Sequence, residues 1–153
     1  MAEYLANQSQ SVGLNAPVIF SASIPCPRGY IYHEDDTGLF ILRGIVNNPN
    51  CSFARYQVTF NGNISIPEGG AVTPIAVAIT VSGEQRPTSR AIFTPAAVEE
   101  NGNVTATAII TVPRGCCLNV SVESVDATTD DPATTPTPVI DVENANLVIT
   151  RLS

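Results

Sequence analysis

The longest stretch of alternating apolar and polar residues runs from Phe53 to Pro67. Successive side chains of a β-strand point to opposite faces of a sheet, so Tyr56, Val58 and Phe60 share one face and their polar neighbours share the other. The stretch therefore predicts a central antiparallel strand with one buried face and one solvated face. Asn61-Gly62 favours either a two-residue hairpin or a bulge within one long strand.

A second stretch, Ile75 to Val81, is apolar at nearly every position. Such a strand is typical of a sheet that is covered on both faces. We expect the core to cover one face and a partner subunit to cover the other.

Further short strands are predicted between turn-forming residues. They are Tyr30–His33, Leu39–Val46, Ala91–Thr94, Val104–Val112, Leu118–Val125 and Ala145–Leu152. Val12 to Phe20 reads as an edge strand after a loose N-terminal arm, and Ala127 to Pro138 as an exposed loop of Thr, Asp and Pro. About nine or ten strands without a helix predict an all-β, two-sheet antiparallel β-sandwich. The predicted organisation is an arm at 1–11 and a single domain at 12–153.

The net charge and the N-terminal sequence exclude some classes of function. The chain has 153 residues, a net charge of −7 and no lysine. Nucleic-acid binding is not expected, because it needs a clustered positive field. The N-terminus lacks the pattern of a signal peptide, and no run of 18 apolar residues occurs. We therefore expect a soluble protein that is synthesised in a host cytoplasm and has no membrane partner.

The four cysteines are expected to be reduced in such a compartment. Cys116 and Cys117 are adjacent, so both cannot face the core of one strand. In one interpretation, the two cysteines are small buried hydrophobic side chains. In the other, they form a disulfide after release into an oxidising lumen. Zinc-type C-x-x-C spacing is absent.

Five segments occur in the order of the strands of C1q/TNF-like jelly-roll heads. They are Asp36-Thr37-Gly38-Leu39-Phe40, Phe53–Phe60, Ile75–Thr94 with its bend at Ser82-Gly83-Glu84, Val104–Val122 with its turn at Pro113-Arg114-Gly115, and Ala145–Leu152. The chain resembles that family from about residue 17 to its end. The closing segment lacks the family's aromatic pair, and no Gly-x-y stalk precedes the head.

The resemblance implies a jelly roll and a compact homotrimer with a largely apolar axis. The candidate residues of the trimer interface are Ile75, Val77, Ile79, Val81, Tyr56, Val58 and Phe60. The motifs Cys-Pro-Arg-Gly-Tyr and Val-Pro-Arg-Gly-Cys-Cys are also similar to small proteins of phage structural gene clusters, where such heads decorate capsids or form head fibres.

The sequence contains no motif that indicates a catalytic site. Asp36-Thr37-Gly38 matches the aspartic protease triplet, but His33-Glu34-Asp35 precedes it instead of an apolar strand, so a turn is favoured. Glu34, Asp35 and Asp36 are candidate ligands for a hard cation, although a solvated acidic turn is the preferred interpretation. With one histidine and no nucleophile elbow, we predict neither an enzyme nor a cofactor.

These observations lead to the hypothesis of a non-enzymatic structural protein. It would be a homotrimer on the surface of a phage virion, as a capsid decoration or head fibre, anchored to another virion protein through Met1–Gln10. The loops Ala127–Pro138 and His33–Gly38 could contact host glycans. The alternatives are a bacterial surface or spore-coat head of the same fold, and a carbohydrate-binding module or hydrolase, which would need a groove of exposed aromatic residues.

Overall fold

The computed structural model describes residues 1–24, 29–127 and 139–153. Within these ranges the regular structure consists of β-strands and one 3-10 helix at Pro87–Ser89. The strands are β1 Ala2–Ala6, β2 Gln10–Val12, β3 Ala22–Ile24, β4 Ile31–His33, β5 Phe40–Arg43, β6 Phe53–Ser65, β7 Ile75–Val81, β8 Glu84–Gln85, β9 Ala91–Phe93, β10 Gly102–Pro113, β11 Cys117–Val125 and β12 Ile140–Arg151. No helix in this part of the chain is long and apolar enough to cross a membrane.

The strands form two antiparallel sheets that enclose a common core. Sheet A has the order β10-β6-β12-β1-β3, and β2 also pairs with β12. Sheet B has the order β4-β5-β11-β7-β8, and β9 also pairs with β7. From β5 onward the chain crosses repeatedly between the sheets, as in a jelly roll. The predicted all-β, two-sheet jelly-roll sandwich is confirmed.

Strand β6 is central in sheet A, between β10 and β12. Asn61-Gly62 does not form a hairpin, because β6 continues through it and keeps its pairing with β10. A side chain at Gly62 would place its Cβ 2.9 Å from the Phe60 ring. The irregularity lies in β12 instead, where the register shifts between Glu143 and Asn146.

The inward faces of both sheets meet in one apolar core. Its largest fully buried side chains are Tyr56, Phe20, Phe40, Phe60, Leu42, Ile64, Ile66, Ile79, Ile110, Ile140, Leu147 and Ile149. Burial of one such apolar side chain contributes about 1.5–3 kcal/mol. The Tyr56 hydroxyl is satisfied inside the core, since it donates to the Arg43 carbonyl oxygen at 2.6 Å. The alternation in β6 thus supplies the centre of the core.

Residues 1–11 are not the loose arm that was predicted. β1 pairs with β12 and with β3, and β2 pairs with β12, so this segment belongs to sheet A. Ala2, Tyr4 and Ala6 are buried, and Tyr4 packs edge-on against Phe40 at 4.6 Å between ring centroids. Residues 1–11 therefore belong to the sandwich and do not form an arm outside it.

The predicted edge strand from Val12 to Phe20 is only partly formed. β2 ends at Val12, and the chain then crosses to sheet B, where Leu14 and Pro17 make isolated bridges with β11. A regular ladder cannot continue through Pro17, because proline has no N–H to donate. The crossing brings Asn15 beside β11, where its N–H donates to the Ser124 carbonyl oxygen at 2.8 Å.

Candidate functional site

The outward side of sheet A carries an array of short, uncharged side chains. They alternate with the buried residues along β6, β10 and β12, so they point away from the core. We call this surface the ladder face. Its members are Gln57, Thr59, Asn61 and Asn63 of β6, Asn103, Thr105, Thr107, Ile109 and Thr111 of β10, and Asn146, Val148 and Thr150 of β12.

Hydrogen bonds between strands order the ladder face. Three side-chain pairs are bonded across β6 and β10 at 3.1–3.2 Å, namely Thr59 with Thr107, Asn61 with Thr105, and Asn63 with Asn103. These contacts fix rotamers before any partner binds. Covering these six side chains therefore costs little side-chain entropy.

Charged groups lie directly beside members of the ladder face, since Arg55 is the register partner of Thr111 and Glu143 is that of Asn63. Arg55 packs over the Phe53 ring, with 4.8 Å between the guanidinium carbon and the ring centroid. Glu3 of β1 accepts a hydrogen bond from Asn146 Nδ2 at 3.1 Å. Within the face, Ile109 is 59% exposed. A surface whose own members are uncharged suits contact with another protein, because the cores of interfaces are depleted in charge.

The predicted trimer-interface residues lie elsewhere. Tyr56, Val58, Phe60, Ile75, Val77 and Ile79 are 0–3% exposed in the single chain, and all six belong to its core. Val81 is half-buried and packs against the same core. The six buried side chains are covered by the opposite sheet of their own chain, so they cannot contact a partner. The assignment of these six residues to the trimer interface is wrong, whereas that of Val81 stays a prediction.

Strand β7 is covered on both faces, but the chain itself supplies the cover. Ala76 and Ala78, which point away from the main core, are buried with Val125 in a second small cluster. The half-buried Ala127 packs against that cluster. The continuous apolar pattern of β7 therefore does not require a partner subunit.

A pocket of about 620 Å³ lies on the outward side of sheet B. Its lining residues are Asn15, Gly83, Glu84, Gln85, Pro87, Glu123 and Val125. Asn15 comes from the crossing after β2, Gly83 to Pro87 from the β7–β8 turn and the residues that follow it, and Glu123 from β11. None of these residues was singled out from the sequence as part of a binding site.

A chain of hydrogen bonds leads to Glu123. The Thr80 and Ser121 hydroxyl oxygens, on paired residues of β7 and β11, are 2.6 Å apart, and Ser121 Oγ donates to Glu123 Oε1 at 3.0 Å. Burial raises the pKa of Glu123 above its ordinary value, and the hydrogen bonds from Ser121 and Thr80 oppose part of that shift. The pocket thus holds a carboxyl group whose charge is only partly compensated.

The acidic turn does not assemble a cation site. Glu34, Asp35 and Asp36 are all exposed. The Thr37 hydroxyl donates to the Glu34 carbonyl oxygen at 2.6 Å, and the Asp36 N–H donates to the Phe20 carbonyl oxygen at 3.0 Å. Among residues 1–24, 29–127 and 139–153, no three His, Cys, Asp or Glu side chains gather so that they could hold a metal. The segment is a hydrogen-bonded turn.

His33 packs with aromatic residues rather than with the acidic ones. Its ring stacks on Phe40, with 4.3 Å between centroids and 11° between planes, and lies edge-on to Tyr4 at 4.8 Å. Its Nε2 is 2.9 Å from the Thr37 carbonyl oxygen and therefore donates to it. The imidazole closes one end of the core.

The described cysteines are exposed, which corrects the interpretation of buried thiols. Cys51, Cys116 and Cys117 are free. Cys116 follows the β10–β11 turn, where the Arg114 N–H donates to the Ser52 carbonyl oxygen at 2.9 Å. Cys26 lies outside the described residues, as does most of the predicted loop Ala127–Pro138.

Neither a protein-family model nor a curated protein sequence matches this chain. Solved structures do match it. The globular domain of zebrafish complement 1qA protein is 13% identical with a TM-score of 0.58, and the match covers 96% of this chain and 94% of that one. Murine APRIL, solved at pH 5.0, is 10% identical with a TM-score of 0.53, and the match covers 93% and 97%. The protein has the C1q/TNF-like jelly-roll fold that the order of its motifs indicated.

Proposed function

We propose that this protein is a non-enzymatic structural head that assembles into a homotrimer through its ladder face and is displayed on the surface of a phage particle. The observation that carries the proposal is the composition of that face. None of its twelve members is charged, and six of them are already paired by cross-strand side-chain hydrogen bonds. Covering these twelve side chains removes no charged group from water.

A trimer agrees with the resemblance to C1q/TNF-like heads, in which three copies surround a common axis. A closed ring of three needs two different patches on each subunit, because its interfaces are heterologous. The ladder face supplies one patch. The second patch is the backbone edge of β10, an edge strand of sheet A whose outward side chains belong to the ladder face. This edge of one subunit can pack on the ladder face of the next.

A non-enzymatic role is supported by the packing of the residues considered for catalysis. His33, the single histidine of the chain, is stacked against Phe40. Asp36 lies in an exposed turn, and its φ of 64° places it in the left-handed region. In that position Asp36 serves the geometry of the turn.

Display on a virion is supported by the resemblance of two motifs to small proteins of phage structural gene clusters, and synthesis in the host cytoplasm agrees with the acidic, lysine-free composition. Because β1 is built into sheet A, the proposed attachment to another virion protein uses a face of the folded sandwich instead of the N-terminal arm. Host glycans remain a proposed target of the finished particle.

The oligomeric state is tested by light scattering on the native protein. We expect a mass of three 16.1 kDa chains. Ile109→Arg places a charge on the ladder face and should give the mass of one chain, with an unchanged circular dichroism spectrum. Ile92→Arg is the matched control, because Ile92 is 51% exposed on β9 of sheet B. A wild-type mass of one chain at every concentration would refute the trimer.

Display is tested separately by mass spectrometry of purified phage particles whose genome encodes the chain. We expect its peptides at a stoichiometry that is constant between preparations. Their absence from intact particles, together with their presence in the lysate, would refute a virion role.

A further inference from the structure

The pocket on sheet B has an uneven distribution of charge. Its described lining contains the carboxyl groups of Glu84 and Glu123 and the amides of Asn15 and Gln85, and none of these lining residues is Lys, Arg or His. Glu84 is exposed at the rim, whereas Glu123 is half-buried. An anionic ligand would be repelled by both carboxylates.

The surroundings of Glu123 indicate what would stabilise it. A partly desolvated carboxylate is costly unless a cation or several hydrogen bonds compensate it. Here the compensation comes from the neutral hydroxyls of Ser121 and Thr80, and both residues are almost fully buried, at 6% and 1% exposed. A cation that entered the pocket would supply the missing charge and would itself be partly shielded from water.

The size of the pocket limits the cation. A volume of about 620 Å³ is within the range of small-molecule sites, roughly 300–1,000 Å³. It far exceeds a metal ion, and the described residues gather no ligand set for one. Pro87 and Val125 add apolar wall beside the carboxyl group. Hydrocarbon next to a carboxylate suits an organic cation, whose stem packs on the apolar wall while its head pairs with the charge.

We propose that this pocket binds an organic cation, an ammonium or guanidinium group on a short aliphatic stem, with Glu123 as its counter-ion and the amides of Asn15 and Gln85 as its polar rim. Glu123 and its hydroxyl neighbours form the base of the site. Glu84 adds a second negative charge at the entrance. The group belongs either to a free small molecule or to an exposed Lys or Arg side chain of another protein.

The test measures binding by calorimetry and by NMR chemical shifts on the full chain. The probes are putrescine and agmatine, with butane-1,4-diol as a neutral analogue, succinate as an anion, and calcium. A blocked Gly-Arg-Gly peptide distinguishes a protein side chain from a free molecule. We expect saturable binding of putrescine or agmatine in the millimolar range or tighter, no binding of the diol or succinate, and shifts centred on β11 and the β7–β8 turn.

Glu123→Gln preserves the shape and the acceptor for Ser121 Oγ but removes the charge, and it should weaken cation binding at least tenfold. Glu143→Gln is the matched control, since Glu143 lies on β12 of the other sheet, and it should leave the affinity unchanged. Binding of the peptide but not of the free amines would assign the site to a protein side chain. The proposal is overturned by equal affinities in wild type and a folded Glu123→Gln variant, by binding of calcium or the diol in place of the amines, or by no binding of any cation.

Discussion

Ile109 and Ile110 are adjacent on β10 and point to opposite faces, so the same substitution at each separates core packing from surface contact. Ile110 is 0% exposed and Ile109 is 59% exposed. Replacement by Ala removes three carbon atoms. Fully buried, these contribute about 2.4 kcal/mol of transfer free energy at ~0.8 kcal/mol each.

The cavity left at Ile110 adds to the transfer term, so Ile110→Ala should lower the free energy of unfolding by about 2–5 kcal/mol. That corresponds to a fall in Tm of roughly 4–20 °C for a domain of this size. Ile109→Ala removes contacts that are less than half buried and should cost about 1 kcal/mol in the isolated chain. Should the ladder face be an interface, the same variant also weakens assembly.

The assay is urea unfolding at a protein concentration where light scattering gives the mass of one chain, followed by light scattering at high concentration. We expect the two variants to rank in opposite order in the two measurements: Ile110→Ala loses more stability, and Ile109→Ala loses more of the trimer. Equal losses of unfolding free energy would refute the assigned orientation of β10. An unchanged trimer in Ile109→Ala would place the interface elsewhere.

Three further substitutions test other contacts, and a fourth serves as a control. Tyr56→Phe removes a hydroxyl that donates to a buried carbonyl group and should lower the free energy of unfolding by about 1–2 kcal/mol in urea titrations. Gly44→Ala would place its Cβ 1.9 Å from the Pro113 carbonyl oxygen and should abolish soluble expression or sharply lower Tm, whereas Gly13→Ala, with open space around it, should change little. Because the pKa of Glu123 is raised, the folded state binds the proton of this carboxyl group more tightly than the unfolded state does. The protonated carboxyl group therefore contributes to stability below about pH 4.5, and this contribution is lost as the pH rises through the folded pKa. Glu123→Gln should therefore raise Tm relative to wild type at pH 7.5 but not at pH 4, and the opposite order would contradict the direction of the shift.

The long strands were predictable because their patterns are strong and local. β7 has the predicted bounds Ile75–Val81, and β6 follows the alternation that begins at Phe53. β1 was missed because three of its five residues are Ala or Glu, which have little preference for strands. Its conformation is imposed by pairing with β12 at the other end of the chain, and a local pattern does not contain that information.

The functional surfaces were harder to predict, for a different reason. A period of two shows which residues share a face, but it does not show what covers that face. The outward face of β7 is covered by Val125 and Ala127 of the same chain. The apolar sequence of β7 therefore gave no evidence for a partner subunit. In the sequence, the ladder face is visible as Thr105 and Thr107 at alternate positions of β10. Their hydrogen-bond partners, Asn61 and Thr59 of β6, depend on the strand register, which is set by the fold.

The two candidate surfaces lie on opposite outer sides of the sandwich, and this separation has a consequence for function. The ladder face belongs to sheet A, whereas Glu123 belongs to sheet B. A trimer that packs through sheet A leaves the pocket of sheet B facing outward, so an assembled head could bind three cations without competition from its own subunits. Distant sites without shared partners act additively. The double variant Ile109→Arg/Glu123→Gln should therefore show the mass of the first single variant and the cation affinity of the second, and a cation affinity that changes with assembly would show that the pocket lies at the subunit contact.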